Sequence, residues 1–229
     1  MPCTASCSRL SALGSRLSAL GSVLAHYALT GRPVSRWAVR LSASLATMFH
    51  VKQKYKALVK QYSRSLDLFG PAVEIHFDMH MDSAEAYAQF VPEGENLLDV
   101  GSGGGLPGIP IALARPDLKV ILCEIRQRRA SFLNIARSQL GLSNVRVFAG
   151  DVRKFKEPVS WVTAQAVGDL DVLIKLIQHT VTDEWHLLSR RTKDWKAPET
   201  AGAYQIQEER HHLDEDADLV VLHLSRKQA

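Results

Sequence analysis

Short apolar runs alternate with amphipathic stretches over the second half of the chain. The apolar runs predict buried strands at 96–100, 118–124, 145–148, 159–163, 185–188 and 219–224. The intervening stretches predict helices through 112–114 and over 126–140 and 170–180. Repeated strand–helix units favour an α/β fold with a mostly parallel, doubly wound sheet and helices on both faces. The segment 190–202 has no clear period and is predicted to be a loop.

Two more helices are predicted ahead of the first strand. In 52–62 the apolar residues recur at helical spacing, at Tyr55, Leu58, Val59 and Tyr62. The lysines of this segment form the other face of the helix. A second helix is predicted over 82–90, and the Pro-Glu-Gly at 92–94 predicts a turn. We therefore expect a helical extension over 48–92 and one α/β domain over 93–229.

Residues 1–47 differ from the rest of the chain. They contain no acidic residue, are rich in Ser, Arg, Ala and Leu, and repeat one heptapeptide at 8–14 and 15–21. Two glycine-containing copies predict neither a solenoid nor a stable helix. We expect 1–47 to be an over-extended or disordered leader ahead of Met48; a transit peptide and an RNA-contacting arm stay open as alternatives.

Charge is uneven along the chain, although the net charge is only +4. No Asp or Glu precedes Asp67, and the same stretch is strongly basic, with Arg9, Arg16, Arg32, Arg36, Arg40, Lys52, Lys54, Lys56, Lys60 and Arg64. Such a stretch suits a polyanion-binding surface, because cations that neutralise phosphates release counterions. A solvated basic helix would carry the same charges, so charge alone leaves both interpretations open.

Cysteine usage and hydropathy limit the class of protein. The three cysteines, Cys3, Cys7 and Cys123, do not suggest a disulfide framework, and no second Cys or His pair completes a metal site. No stretch approaches the roughly 20 apolar residues of a transmembrane helix. We expect a cytoplasmic protein in a reducing compartment, with no structural metal and no membrane partner.

The most informative segment joins the strand at 96–100 to a helix through Asp99-Val-Gly-Ser-Gly-Gly-Gly-Leu-Pro-Gly108. Glycines let the backbone turn tightly and approach a ligand closely. A P-loop is excluded because Gly-Lys-Ser/Thr is absent, whereas Gly103, Gly105 and Gly108 satisfy the weak dinucleotide pattern G-x-G-x-x-G. Asp99 favours S-adenosylmethionine, because a carboxylate can serve the ammonium group of its methionine moiety but offers nothing to a pyrophosphate.

Two further acids are candidates for the adenosine part of that cofactor. Glu124 ends the second predicted strand, where an acid can accept hydrogen bonds from both ribose hydroxyls. Asp151 follows the third strand, where it could accept a hydrogen bond from the adenine amino group. A helix cap is the alternative role for Asp151.

The segment Leu97–Ala112 resembles the ribosomal RNA small subunit methyltransferase G family, also called glucose-inhibited division protein B. Its unusual part is Leu-Pro-Gly-Ile-Pro at 106–110, and the acid Glu124, the basic pair at 128–129 and the Phe-Leu at 132–133 also match. The likeness runs from about Met48 to the C-terminus and is strong over 96–150.

The resemblance implies a Rossmann-like class I methyltransferase over 93–229 that methylates guanine N7 in 16S rRNA of the small ribosomal subunit. It also places Gly101, Leu106, Val152 and Arg153 at cofactor-binding positions. Guanine N7 carries a lone pair and no proton, so attack needs no general base. Alignment of the reactants can then supply about 7–11 kcal/mol of the barrier reduction. No catalytic residue is assigned.

Several positions depart from the family pattern. Arg153 replaces an acid, Asp151 replaces an Arg, and Gln165 stands where the family has an Arg. The Lys-Gly expected after the fifth strand reads Ser-Arg-Arg at 189–191. Two alternatives therefore stay open: a non-catalytic RNA-binding relative, and a methyltransferase that acts on a small molecule.

The remaining expectations concern the RNA and the assembly. Cations of a positive groove are expected to hold the RNA backbone: those of 52–64 with Arg126, Arg128, Arg129, Arg190 and Arg191. For Arg128 and Arg129 a solvated helix face is an equal alternative. His76 and His80 flank Asp78 but have no further ligand nearby, so a structural role is favoured. We expect a monomer.

Overall fold

The computed structural model describes residues 36–165 and 169–227. The heptapeptide repeat, Cys3 and Cys7 lie outside these residues. Helices are α1 (Arg36–Leu66), α2 (Pro71–Ile75), α3 (Phe77–Tyr87), α4 (Gly108–Ala114), α5 (Gln127–Leu140) and α6 (Leu170–Ile177). Strands are β1 (Asn96–Val100), β2 (Lys119–Glu124), β3 (Val145–Ala149), β4 (Val159–Ala164), β5 (Val181–Thr192), β6 (Thr200–Ala201), β7 (Tyr204–His212) and β8 (Ala217–Arg226).

The strands form one eight-stranded sheet in the order β3-β2-β1-β4-β5-β8-β7-β6. The pairs from β3 to β5 are parallel, because helical crossovers return the chain to the same edge of the sheet. The pairs β5–β8, β8–β7 and β7–β6 are antiparallel. The predicted α/β fold with a mostly parallel sheet is confirmed.

Parallel strands place their carboxyl ends at one edge, and β1, β2, β3, β4 and β5 all end there. Asp99 and Glu124 lie at the ends of β1 and β2, and the other predicted cofactor residues lie in the segments that follow β1 and β3. Gln165 follows β4, and Arg190 lies near the end of β5. In a doubly wound sheet this edge is where ligands bind. The fold therefore collects almost all of the candidate chemistry on one side of the sheet.

The chain divides into two compact units, Met1–Gln53 and Lys54–Ala229, with the boundary inside α1. In the second unit, Tyr55, Leu58 and Val59 of α1 are buried, and the Tyr62 ring lies 5.6 Å from that of Phe132. The predicted amphipathic helix is therefore confirmed, and the helix begins well before Met48.

Several predicted boundaries were wrong. The helix predicted over 82–90 is α3, which begins at Phe77 and buries Phe77, Met81, Ala84 and Tyr87 at helical spacing. The helix predicted over 170–180 ends at Ile177, because the Thr180 amide donates to the Ile177 carbonyl in a turn and the Thr180 carbonyl accepts from the Val159 amide at the start of β4.

The end of the chain shows the largest difference. The strand predicted at 185–188 extends over Val181–Thr192, because β8 pairs with it in nine consecutive positions from Glu184 to Thr192. This extension takes up the first part of the predicted loop 190–202. Strand β7 was not predicted, because its sequence is mostly polar and its side chains are mostly exposed; its place in the sheet comes from pairing with β8.

Trp185 on β5 belongs to a hydrophobic cluster, in which it is fully buried and makes an edge-on contact with the Tyr204 ring at 5.9 Å. We predict that Trp185→Ala lowers the free energy of unfolding by about 3–5 kcal/mol, because it removes buried surface and leaves a cavity. Urea unfolding followed by circular dichroism measures the change. The matched control is Val172→Ala on α6, whose side chain is 48% exposed and should change stability little. Equal losses in both variants would contradict this assignment of the core.

Candidate functional site

The glycine-rich loop leaves the carboxyl end of β1 and enters α4. The amides of Gly101 and Ser102 donate to the Cys123 carbonyl of β2 at 2.9 and 3.0 Å, which ties the loop to the neighbouring strand. Gly101, Gly103 and Gly105 all have positive φ, with values of 74°, 55° and 101°. L-residues adopt these conformations at a cost, so the glycines are what allow this loop to form.

Asp99 lies beneath this loop, and its side chain is 1% exposed. Among the described residues neither carboxylate oxygen has a hydrogen-bond partner, and a Cβ on Gly108 would lie 2.7 Å from Oδ2. Burial raises the pKa of Asp99 to about 7. A buried carboxyl group without a partner is costly in its charged form, which marks Asp99 as a functional candidate. Its predicted contact with an ammonium group stays a prediction.

The raised pKa of Asp99 predicts a pH-dependent stability. Between about pH 4 and pH 7 the folded protein binds a proton on Asp99 that the unfolded chain has released, so the stability should fall as the pH rises through this window. Asp99→Asn should match the wild type near pH 4 and exceed it at pH 8 by about 2–4 kcal/mol. Urea unfolding at a series of pH values measures the difference. The control is Asp183→Asn at an exposed position, and its stability should stay close to that of the wild type at every pH. If the difference in stability between Asp99→Asn and the wild type is the same at every pH, the raised pKa of Asp99 is contradicted.

Glu124 ends β2 and is 4% exposed. Its Oε2 accepts from the Gly103 amide at 2.9 Å, and its Oε1 accepts from the Arg126 amide at 2.7 Å. The same carboxylate therefore holds both the glycine-rich loop and the start of α5. Each oxygen has two lone pairs, so the carboxylate can still accept from further donors, such as ribose hydroxyls.

Asp151 lies at the same edge, since the Gly150 amide donates to the Glu124 carbonyl at 3.0 Å. Its Oδ1 accepts from the Arg153 amide at 3.0 Å, so it caps the short 3-10 helix Val152–Lys154. Its hydrogen bonds with the Arg153 side chain and amide lower the pKa of Asp151 to about 2. Asp151 is therefore both a cap and an ion-pair partner, which the sequence had left open.

The two other predicted positions differ in exposure. Val152 is buried in the hydrophobic cluster, while the Arg153 side chain is 67% exposed. Leu106 is 6% exposed within the glycine-rich loop. The structure thus brings all nine predicted residues to one edge of the sheet, at the ends of β1 and β2 and in the segments after β1 and β3.

Two residues that cover the glycine-rich loop were missed by sequence reasoning. Tyr55 of α1 donates its hydroxyl to the Gly104 carbonyl at 2.7 Å, and burial raises the pKa of Tyr55. The Phe69 ring occupies the space that a side chain on Gly104 would need. Both residues are far from the loop along the sequence, so no local pattern indicated that they contact it. The helical spacing predicted only that Tyr55 is buried.

The predicted basic groove is only partly assembled. Lys54, Lys56, Lys60, Arg64, Arg126 and Arg128 are exposed. Arg128 and Arg129 donate to the backbone carbonyls of 65–67, so they also hold the end of α1. Arg190 and Arg191 are half-buried and line a pocket at the ends of β4 and β5. Their contact with RNA stays a prediction.

That pocket has a volume of about 280 Å³ and lies at the carboxyl ends of β4 and β5. Its lining consists of Gln165, Arg190, Arg191, Thr192, Asp216 and Ala217. Val100 pairs with Ala164 across β1 and β4, so Gln165 and Gly101 follow neighbouring strand ends. The pocket therefore adjoins the glycine-rich loop along the same edge of the sheet.

The residues at this edge fit an adenosine cofactor better than a metal ion. Within the described ranges no group of three His, Cys, Asp or Glu side chains is arranged to hold a metal. The glycine-rich loop has positive φ at three glycines and offers backbone amides. The buried carboxylates of Asp99 and Glu124 lie at the ends of the two strands beside it. None of the helices in the described part of the chain has the length and apolar character of a membrane span.

Comparison with known sequences gives consistent matches. A family model described as rRNA small subunit methyltransferase G (GidB) matches residues 49–213. A protein named Ribosomal RNA small subunit methyltransferase G from Brachyspira hyodysenteriae is 29% identical over 162 residues, which cover 70% of this chain and 79% of the relative. A protein of the same name from Acidothermus cellulolyticus is 42% identical over 113 residues, which cover 49% of this chain and 51% of the relative.

Solved structures share the fold at low sequence identity. A SAM dependent methyltransferase from Aquifex aeolicus aligns with a TM-score of 0.51 and 16% identity, over 68% of this chain and 98% of that one. TYW2 of M. jannaschii in complex with AdoMet aligns with a TM-score of 0.52 and 15% identity, over 65% of this chain and 77% of that one. These likenesses bear on the fold alone, and they confirm the predicted Rossmann-like architecture of class I methyltransferases.

Proposed function

Because the chain belongs to the rRNA small subunit methyltransferase G family, we propose that it transfers a methyl group from S-adenosylmethionine to guanine N7 in 16S rRNA of the small ribosomal subunit. The observation that carries the proposal is the glycine-rich loop held by Glu124. This loop stands at the edge of the sheet where doubly wound folds bind their ligands.

The nine predicted residues divide the cofactor among them. Asp99, Gly101, Gly103, Gly105 and Leu106 would hold the methionine end, and Glu124 the ribose. The adenine would lie against Asp151, Val152 and Arg153. The supporting observations are the buried, partnerless carboxylate of Asp99 and the remaining acceptor capacity of Glu124.

When bound, the cofactor supplies an electrophilic methyl group on a sulfonium. Guanine N7 already carries the attacking lone pair, so the protein does not have to remove a proton. Its residues align the two reactants and exclude water, and alignment alone can supply about 7–11 kcal/mol. No side chain is assigned as a general base, because the proposed reaction does not require one.

The RNA would be held through its backbone by the exposed cations near the end of α1 and the start of α5, including Lys60, Arg64 and Arg126. Binding of this kind weakens steeply with salt. We further propose that the protein acts as a monomer in the cytoplasm, where it would meet ribosomal subunits.

The test is a methyl-transfer assay with tritiated S-adenosylmethionine and small subunits that lack the modification. Label should enter 16S rRNA with the wild type and be absent with Gly101→Arg, because a long side chain would fill the loop. Measurable cofactor binding without label in the RNA would favour the non-catalytic RNA-binding alternative or another acceptor. No cofactor binding at all would refute the proposal.

A further inference from the structure

The pocket at the ends of β4 and β5 is separate from the proposed cofactor residues but adjoins them. Its six lining residues include none of the nine predicted cofactor residues. Its volume of about 280 Å³ is just below the usual range of ligand pockets, which is about 300–1,000 Å³, so it suits one small ring system.

The inner wall of the pocket supplies hydrogen-bond donors. Arg190 forms an ion pair with Asp214 at 2.8 Å, and the Arg191 guanidinium lies 4.6 Å from the centre of the Trp195 ring. In both arginines Nε is buried and has no hydrogen-bond partner in the described part of the chain. Buried donors without a partner are rare in folded proteins, and both of these belong to residues that line the pocket.

Two further lining residues, Asp216 and Gln165, carry acceptor groups. Asp216 is exposed in the turn between β7 and β8, and its backbone amide donates to Asp214 Oδ1 at 3.0 Å, which holds this turn. Gln165 donates through Nε2 to the Tyr87 hydroxyl at 3.4 Å, which leaves its carbonyl oxygen as an acceptor.

We propose that this pocket reads the Watson–Crick edge of the guanine that is methylated, with Arg190 and Arg191 donating to O6 and Asp216 accepting from N1–H and the 2-amino group. The inference rests on the proposed function and adds the residues that select the base. Enzymes that modify a base commonly read this edge in a pocket, and here it would leave N7 free for methyl transfer.

The same lining disfavours other occupants. Adenine would present its amino group to the arginine donors and its N1 acceptor to the Asp216 carboxylate, so both contacts would be mismatched. A phosphate would gain from the arginines but would be repelled by Asp214 and Asp216. Guanine is the base whose donors and acceptors both find a partner.

The test compares guanosine with inosine at the acceptor position. The nucleotide that the wild type methylates is first mapped, and small subunits are reconstituted with guanosine or inosine there. Inosine keeps N7, O6 and N1–H and lacks only the 2-amino group. Wild type and Asp216→Ala are compared by kcat/KM on both substrates. The matched control is Glu215→Ala, which removes the neighbouring exposed acid outside the pocket.

We expect the wild type to prefer guanosine by roughly tenfold or more, because inosine cannot donate from position 2. In Asp216→Ala the preference should fall towards one, through loss of activity on guanosine, while Glu215→Ala keeps it. An unchanged preference in Asp216→Ala, or higher activity on both substrates as for a phosphate site, would overturn this inference and leave the proposed function intact. If the wild type methylates no nucleotide at the mapping step, both the proposed function and this inference are refuted.

Discussion

Gly105→Ala should abolish measurable binding of S-adenosylmethionine and lower the free energy of unfolding by about 2–4 kcal/mol. At Gly105 φ is 101°, and an added Cβ would lie 2.9 Å from Ile109 Cγ1 and 3.0 Å from the Tyr55 hydroxyl. Ile109 is fully buried and Tyr55 is hydrogen-bonded to Gly104, so neither can move without disturbing the loop. Urea unfolding and calorimetric titration with the cofactor measure the two effects.

The matched control for this substitution is Gly103→Ala in the same loop. Here φ is 55°, in the ordinary left-handed region, and the nearest atom to an added Cβ is the Leu68 carbonyl oxygen at 3.5 Å. The change should cost only the backbone strain of about 1–2 kcal/mol and keep cofactor binding within about tenfold. If both variants lose the same stability and the same affinity for the cofactor, the close packing around Gly105 does not determine the conformation of the loop.

Glu124→Gln should weaken cofactor binding by about 10- to 100-fold and lower the free energy of unfolding by about 1–3 kcal/mol. The carboxylate accepts from two backbone amides, those of Gly103 and Arg126. A glutamine keeps one acceptor oxygen and places an NH₂ group against the other amide. The substitution therefore disturbs the loop and also removes an acceptor proposed for the ribose.

The control for Glu124→Gln is Glu157→Gln, which neutralises an acid that is 58% exposed and is paired with Arg146 at 2.6 Å. Exposed ion pairs contribute little, so both stability and cofactor affinity should stay close to the wild type. Calorimetric titration and urea unfolding serve for both variants. Unchanged affinity in Glu124→Gln would exclude this residue from the cofactor site.

The parts of the fold with a strong local signal could be predicted from the sequence. Strand β1 was predicted with both ends correct, because five residues of a buried strand run directly into glycines. The glycine-rich loop and Glu124 were predicted for the same reason, since their spacing along the chain reflects one strand–turn–helix unit and the strand after it.

Features that depend on distant contacts could not be predicted in this way. Strand β7 is polar and exists through its pairing with β8. Phe69 and Tyr55 reach the glycine-rich loop only after the N-terminal helices pack on the domain. The sequence also placed Asp99 correctly at the end of a strand but did not indicate that its carboxylate would be almost fully buried.

The arginines of β5 show how one misplaced boundary changes a functional interpretation. With a strand ending at 188, Arg190 and Arg191 were expected in a loop and were assigned to an RNA-binding groove. Pairing with β8 continues β5 to Thr192 and turns both side chains into the wall of a pocket. The same residues thereby change from contacts with any phosphate to candidates for reading one base.

The most direct test of the proposed function is to identify the methylated atom. Small subunits that lack the modification are incubated with the full-length protein and S-adenosylmethionine, and the 16S rRNA is digested to nucleosides for mass spectrometry. The proposed function predicts 7-methylguanosine at close to one per subunit, and none with Gly101→Arg. Cofactor consumption with methylation at another atom, or in no RNA, would contradict it.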